Sequence, residues 1–348
     1  MQVNFCGKLS MDACHTVRLE FVEAAGAWLL GLDERIDHQG RLLPYLLTAT
    51  FDTHASVRER AVLLIERIGE LYESDNASDL KEALSYLPAE AHNVGWADRG
   101  AARDPWELHA AGHDVGLPVD MRVRPRVGAR RVVAANFGHI AHAIAMELGS
   151  WRAECRWHAA RLLLVYLAYV EDWVLQYVHE LVPALCRALA PLDATAEGAR
   201  VVTAALACCE RIGVFAPCER VLQIAVERAS DASSEMPLRA TALEAAAAVV
   251  RGRARVGGID AAVPVVLECI DGAALADIAS SCMRRAVAMA LDAIAVQPEA
   301  LSVEQRRALG GLLGQAQMTA AASGDEDTAL ATLTERLRAI DPSGDHVD

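Results

Sequence analysis

The side chains in this sequence that could bind a metal ion are a small number of histidines. His109 and His113 lie four residues apart, a spacing that puts two imidazole rings on one face of a helix. No Glu follows His109, and Gly112 between the two histidines favours a loop. His179-Glu180 is the only His-Glu pair, whereas a di-iron centre requires several such pairs because each iron takes histidine and carboxylate ligands. We therefore predict no metal site and no cofactor.

The cysteines and the known catalytic motifs give no sign of an enzyme either. The nine cysteines form no C-x-x-C motif, and their scatter is typical of reduced thiols in an intracellular protein. Cys208 and Cys209 are adjacent in an apolar stretch, where packing is favoured because a reactive thiol needs an open, positive setting. No phosphate-binding glycine motif and no G-x-S-x-G nucleophile motif is present. We predict a protein without catalytic residues.

A basic cluster is the strongest charge feature of the chain. Its five members are Arg122, Arg124, Arg126, Arg130 and Arg131. Guanidinium groups bind carboxylates and phosphates through paired, charge-assisted hydrogen bonds, so this cluster could hold an acidic partner. It could equally lie on a solvated flank or pair with Asp and Glu residues of the same chain.

Charge and hydropathy limit the kinds of partner. The formal net charge of −14 argues against nucleic-acid binding, because phosphate repels an acidic surface. The longest apolar run, Leu162 to Val170, is far shorter than a bilayer-spanning helix, and the first residues lack the pattern of a signal peptide. We therefore predict a cytoplasmic protein that binds other proteins, with no nucleic acid and no membrane as partners.

The stretch from Arg41 to Tyr72 predicts two antiparallel helices joined by a polar turn at residues 52–56. Each helix has apolar residues at helical spacing. They are Leu42, Leu43, Leu46 and Leu47 in the first helix and Val57, Ala61, Leu64, Ile65 and Ile68 in the second. Burying one Leu contributes roughly 1.5–3 kcal/mol, so the two apolar faces pack together as a hairpin. The hairpin has further apolar residues, and therefore needs neighbours.

This hairpin resembles a HEAT repeat. The family pattern has Pro in the first helix, Asp eight residues later, Val-Arg five residues after the Asp, and a small residue three after the Arg. The matching residues are Pro44, Asp52, Val57, Arg58 and Ala61. The resemblance implies that the Asp and Arg positions form a ladder between adjacent repeats. An ordinary helical hairpin in a bundle is the alternative.

Parts of the same signature recur elsewhere in the chain. Val17-Arg18 lies forty residues before Val57-Arg58, whereas residues 1–11 look too short and too polar for a first helix, so the chain is expected to begin in mid-repeat. Arg156 and Ala159 repeat the spacing of Arg58 and Ala61, and Pro183 takes the place of Pro44. The predicted fold is all-α, an α-solenoid of HEAT-like helical hairpins forming an armadillo-type superhelix. The predicted divisions are HEAT-like repeats in 12–87 and 128–340, an irregular insertion at 88–127 and a disordered tail at 341–348.

A longer succession of residues is similar to the HEAT-repeat dynein axonemal assembly factor family, over roughly the first two thirds of the chain. The residues that carry this resemblance are Leu42-Leu43-Pro44, Leu46-Leu47, Asp52, Glu70, Tyr72, Arg124-Pro125, Gly128, Arg131, Val133, Asn136, Trp151, Arg156, Ala159-Ala160, Leu162-Leu163 and Glu171. The family is longer than this chain and has no catalytic motif.

The resemblance implies a non-enzymatic scaffold for the cytoplasmic pre-assembly of the axonemal dynein arms of cilia and flagella. It implies dynein heavy chains and co-chaperones of the Hsp90 system as partners. Two alternatives remain open on the sequence alone. One is a general HEAT or armadillo adaptor of the transport or phosphatase-scaffold type. The other is a HEAT-like enzyme that uses iron or acts on a chromophore.

Overall fold

The computed structural model describes residues 4–78, 80, 103–117, 121, 123–190, 195–296 and 301–322. Within these ranges all regular secondary structure is helical and no strand occurs, which confirms the all-α prediction. The described residues fall into two compact units, the first within Met1–Gly95 and Leu117–Tyr177 and the second within Trp96–Gly116 and Val178–Asp348. The end of the predicted HEAT-like repeats, residues 323–340, and the predicted tail at 341–348 lie outside the described residues.

Fourteen α-helices lie in the described ranges. In chain order they are α1 (Phe5–Ser10), α2 (His15–Gly31), α3 (Arg35–Ala49), α4 (Ala55–Asp75), α5 (Pro105–Ala110), α6 (Val127–Leu148), α7 (Ala153–Val170), α8 (Val178–Leu189), α9 (Ala196–Phe215), α10 (Cys218–Ser230), α11 (Met236–Val256), α12 (Ala262–Cys269), α13 (Ser281–Ile294) and α14 (Val303–Ala322). A 3-10 helix, Glu171–Tyr177, follows α7.

The first unit consists of two layers of helices. Helices α2, α4 and α6 lie side by side in one layer, and α1, α3 and α7 lie side by side in the other. In the apolar stripes predicted for α3 and α4 every residue is buried except Leu42, which is partly exposed, and Leu46 and Val57 are fully inaccessible to solvent. Helix α1 occupies a stretch for which the sequence predicted no helix. Asn4 explains it, because its side chain accepts a hydrogen bond from the Gly7 N–H and so caps six residues that are too few to show a periodicity.

The second unit repeats the same two-layer arrangement. Helices α8, α10, α12 and α14 follow one another in one layer, and α9, α11 and α13 in the other. Helix α11 lies between α9 and α13 and buries every residue from Arg239 to Val250, including the run Ala245 to Ala248. Small side chains let helix axes come close together, so this unit is densely packed without many aromatic residues.

Helix α5 belongs to the second unit, although it lies in the segment that the sequence predicted to be an irregular insertion. Asp104 caps it by accepting a hydrogen bond from the Trp106 N–H, and Pro105 occupies its first turn. The Trp106 side chain is buried and its ring centre lies 6.4 Å from that of Phe215. The backbone N–H of Arg103 also donates to the carbonyl of Val256. The predicted division at 88–127 itself remains a prediction.

We expect Trp106→Ala to lower the free energy of unfolding by about 3–5 kcal/mol, because it leaves a cavity where a large aromatic side chain was buried. Urea unfolding followed by circular dichroism would measure the loss. Trp151→Ala is the matched control, since 82% of that side chain is exposed and its removal should change stability by less than about 0.5 kcal/mol. Equal losses in the two variants would contradict the packing of α5.

Candidate functional site

The Arg18–Asp52 ion pair joins α2 to the turn between α3 and α4. The pair has the paired geometry that is strongest for a guanidinium and a carboxylate: Nε lies 2.6 Å from Oδ2, and Nη2 lies 2.8 Å from Oδ1. Both side chains are largely buried. Arg18 precedes Arg58 by forty residues, so the pair lies where the HEAT resemblance implies a ladder between repeats.

Four arginines near the starts of helices bind the backbone in the same way. Arg18, Arg58, Arg156 and Arg284 each donate to the carbonyl oxygen of the residue six positions earlier, in the turn that leads into their helix. A carbonyl in such a turn has no helical partner, so the guanidinium group satisfies it and fixes the approach of the chain. In the second unit Arg239 also pairs with Asp277 at 2.5 Å.

The remaining residues of the predicted signature are structural. Pro44 and Pro183 lie inside α3 and α8. Val57, Ala61 and Ala159 are buried on α4 and α7. None of them has a side chain that could react with a ligand, so their contribution is to the packing that positions the charged residues.

Two opposing effects set the pKa of Asp52. Burial raises the pKa of this carboxyl, but hydrogen bonds from Arg18 and from the backbone N–H of His54 stabilise the charged form and lower the pKa overall. The stability that Asp52 contributes is therefore complete above its unfolded pKa of about 4, and it is lost as the pH falls through the lower folded value.

We expect Asp52→Asn to lower the free energy of unfolding at pH 7 by about 1–3 kcal/mol, since a hydrogen-bonded charge is lost. The variant should also lose less stability than the wild type as the pH falls from about 4 through the lowered pKa of Asp52, because the wild type then loses the charge that pairs with Arg18. Urea unfolding at several pH values would test both points. Asp75→Asn removes the partner of Arg35 in a more exposed pair, and should cost less than about 1 kcal/mol.

Glu171 is a buried carboxylate that binds two arginines. Its Oε1 and Oε2 lie 2.9 and 2.6 Å from Nε and Nη2 of Arg124, and Arg130 Nη1 lies 3.2 Å from Oε2. The backbone of Glu171 has φ = 53°, the only positive value at a non-glycine residue among the described positions. Despite the Glu171 charge, burial lowers the pKa of Arg130. We call Glu171, Arg124 and Arg130 the Glu171 cluster.

The other members of the predicted basic cluster also have partners within the first unit. Arg126 lies 3.6 Å from a carboxylate oxygen of Glu70 and 3.3 Å from one of Glu73, and its backbone N–H donates to Glu66. Burial raises the pKa of Glu66. The guanidinium of Arg131 lies 5.1 Å from the ring centre of Trp173.

Most of the basic cluster is therefore compensated inside the protein. The pairs join residues around the start of α6 to α4 and to Glu171, which directly follows α7. Arg122 lies outside the described residues. The acidic-partner patch remains a prediction, and a partner would have to displace carboxylates that Arg124, Arg126 and Arg130 already hold.

Sequence reasoning missed a second set of ion pairs that joins neighbouring helices of one layer. Arg251 on α11 lies 3.4 Å from Glu210 on α9 and 3.6 Å from Asp292 on α13. Arg285 on α13 lies 2.7 Å from Glu244 on α11. All three of these pairs are separated by 41 residues, so a search for acidic and basic residues at the repeat period could have found them.

Neither a metal-binding group of side chains nor a reactive Cys208 thiol is found in the described residues. They contain no group of three His, Cys, Asp or Glu side chains that could hold a metal ion. All nine cysteines are free, and burial raises the pKa of Cys208 to about 12, so this thiol stays protonated. Across the part of the chain that the structure covers, no helix combines the length and hydrophobicity that a bilayer span requires.

Two family models match the chain. The model of the dynein axonemal assembly factor 5 HEAT-repeat domain matches residues 118–301, which is more than half of the 348 residues. A model of the TPR repeats of dynein axonemal assembly factor 5-like proteins matches residues 4–83. Both describe repeated helix pairs, which confirms the predicted class of fold. The sequence predicted HEAT-like repeats in residues 12–87, whereas the second family model describes residues 4–83 as TPR repeats.

Three relatives named dynein axonemal assembly factor 5 are similar to the chain. The Mus musculus protein is 27% identical over 69% of this chain and 24% of its own length. The Homo sapiens protein is 28% identical over 61% of this chain and 22% of its own length. The Xenopus laevis protein is 29% identical over 69% of this chain and 24% of its own length. The chain therefore spans about a quarter of the curated relatives that it matches.

One solved structure, titled as a crystal structure of an engineered protein, covers 97% of this chain and 98% of its own length at 14% identity. Its TM-score of 0.29 is too low to bear on the fold. The family match rests instead on the sequence over residues 118–301, which include the Glu171 cluster and helices α6 to α13. By that match, the chain belongs to the dynein axonemal assembly factor 5 family.

Proposed function

We propose that this chain is a non-enzymatic HEAT-repeat scaffold for the cytoplasmic pre-assembly of axonemal dynein arms, and so serves the motility of cilia and flagella. The observation that carries this proposal is the match of residues 118–301 to the HEAT-repeat domain of the family. The name shared by the three relatives, dynein axonemal assembly factor 5, gives the process. Because the chain spans only about a quarter of those relatives, its share of their activity is part of the proposal.

The geometry within each unit supports a binding role. Helices of one layer lie side by side in chain order, and ion pairs such as Arg18–Asp52 and Arg285–Glu244 join successive helix pairs. A row of joined helices is a stiff, extended surface on which a partner chain can lie at low entropic cost. The proposed partners are dynein heavy chains and co-chaperones of the Hsp90 system.

The proposal can be tested by deleting the gene in a ciliated cell of the organism that encodes it. We expect electron microscopy to show axonemes that lack outer and inner dynein arms. We also expect dynein heavy chains to be depleted from their assembled complexes in the cytoplasm, before transport into the cilium. Re-expression of the intact coding sequence is the control and should restore the arms.

Different results would point elsewhere. Normal arms in the deleted cells would overturn the proposed process. Missing arms together with normal cytoplasmic dynein complexes would overturn pre-assembly and indicate a step in the cilium. A purified protein that retains iron, or that turns over a substrate, would overturn the non-enzymatic role.

A further inference from the structure

The first three helices carry a concentration of exposed apolar side chains. Six of the fifteen large apolar residues that are exposed in the described ranges lie within the first 36 positions. They are Phe5, Leu9, Met11, Trp28, Leu32 and Ile36. Single exposed apolar residues are ordinary on a protein surface, whereas apolar residues that line a common groove mark a binding surface.

A groove of about 660 Å³ opens among these helices, in the first unit and away from the Glu171 cluster. Its apolar lining comes from Trp28 and Leu32 on α2 and from Leu42 on α3. The Trp28 side chain is 43% exposed, so a large part of an indole ring is available to a ligand. This volume is large enough for several side chains of a peptide.

One side of the groove is held in place without a ligand. Asn4 Nδ2 lies 3.0 Å from the Tyr45 hydroxyl, and Asn4 Oδ1 accepts a hydrogen bond from the Gly7 N–H. The Tyr45 ring in turn packs edge-on against Phe21, with 5.6 Å between ring centres. A groove whose lining is already fixed loses little entropy when it binds.

Two further lining residues, Arg41 and His38, give the groove a basic character. Within the described residues neither makes a hydrogen bond or an ion pair. By contrast, Arg35 on the same helix pairs with Asp75. Asp37 precedes His38 in the chain but does not line the groove. The basic side of the groove thus lacks a carboxylate of its own.

From this combination we infer that the groove binds a peptide segment of a partner protein in which a bulky apolar side chain lies next to Glu or Asp. The apolar side chain would bury itself against Trp28 and Leu32, where each such side chain contributes roughly 1.5–3 kcal/mol. The carboxylate would accept paired hydrogen bonds from Arg41. The groove would do this in any assembly that the protein serves, so a failure here leaves the role in dynein assembly untouched.

The test uses an array of peptides of about 12 residues, a length that spans a surface groove. Each peptide carries Trp, Phe or Leu followed by Glu, and a matched array has Gln in place of Glu. For the best sequence, we expect fluorescence anisotropy to show about tenfold tighter binding of the Glu peptide, equal to about 1.4 kcal/mol. Arg41→Glu should remove this preference, and Trp28→Ala should weaken binding of both peptides.

Arg67→Glu is the control, because it makes the same change of charge as Arg41→Glu. Arg67 is exposed on α4 and does not line the groove. It should bind as the wild type does. Equal affinity for Glu and Gln peptides, or equal losses in Arg41→Glu and Arg67→Glu, would overturn the inference. Concentration-dependent self-association that Arg41→Glu abolishes would also overturn it, because a second copy of the chain would then be the occupant.

Discussion

Replacement of Glu171 by Gln is expected to lower the free energy of unfolding by about 3–5 kcal/mol, because the two largely buried guanidinium groups would lose their ion pairs with the Glu171 carboxylate. Arg124 and Arg130 are only 23% and 20% exposed, and the Glu171 side chain is 5% exposed. Water can therefore replace little of the lost interaction. Urea unfolding at pH 7, followed by circular dichroism, would measure the change.

Two comparisons separate the charge of Glu171 from its backbone conformation. Glu154→Gln breaks an exposed pair with Arg152 and should change stability by less than about 1 kcal/mol. Glu171→Gly should lower the free energy of unfolding by about 1 kcal/mol less than Glu171→Ala, since φ = 53° is accessible to glycine at little cost. If Gln at 171 proves as harmless as Gln at 154, the cluster does not stabilise the first unit.

Ala in place of Gly213 or Gly252 is expected to lower the free energy of unfolding by about 3 kcal/mol or more. A Cβ atom at Gly213 would overlap the backbone carbonyl of Val249, and one at Gly252 would overlap that of Glu210. Both carbonyls lie on the facing helix of the α9–α11 pair. A backbone carbonyl cannot turn aside as a side chain can, so the two helices would have to separate.

The same substitution should have the opposite effect on α14. Gly310 has no atom near the position of a Cβ, and Ala there should stabilise the helix by about 0.5–1 kcal/mol. Thermal unfolding of Gly213→Ala, Gly252→Ala and Gly310→Ala would compare the three. The double variant at 213 and 252 should lose less than the sum of the single losses, because the helices separate only once. Equal losses of stability in all three variants would show that the close contact between α9 and α11 does not limit the side chain at positions 213 and 252.

The regular parts of the fold could be predicted from the sequence because their signal is local. The stripes around Leu46 and Leu64 repeat at helical spacing, and both residues are buried in α3 and α4 as predicted. The short helices α1 and α5 gave no such signal, since six residues make fewer than two turns. The contacts that hold them include Asn4 to Tyr45 and Trp106 to Phe215, which join residues far apart in the sequence and so leave no periodic pattern.

The sequence showed which residues are charged, but it could not predict which of them pair with one another. The density of arginine near residue 126 was evident, yet Glu171 lies 47 residues beyond Arg124 and Glu66 lies 60 residues before Arg126. Distances of that size along the chain say nothing about which carboxylate is close in space. The positive φ of Glu171 is likewise set by the packing around it, because Glu has no intrinsic preference for that conformation.

The order in which the chain contributes to its two units has a consequence for biosynthesis. Trp106 packs against the ring of Phe215, which the ribosome adds 109 residues later (215 minus 106). At about 5–20 residues per second, the indole stays uncovered for roughly 5–20 s. During that interval the exposed indole is a site to which a holding chaperone can bind. For the same reason, a cleavage after Tyr177 would separate helix α5 from the rest of its own unit.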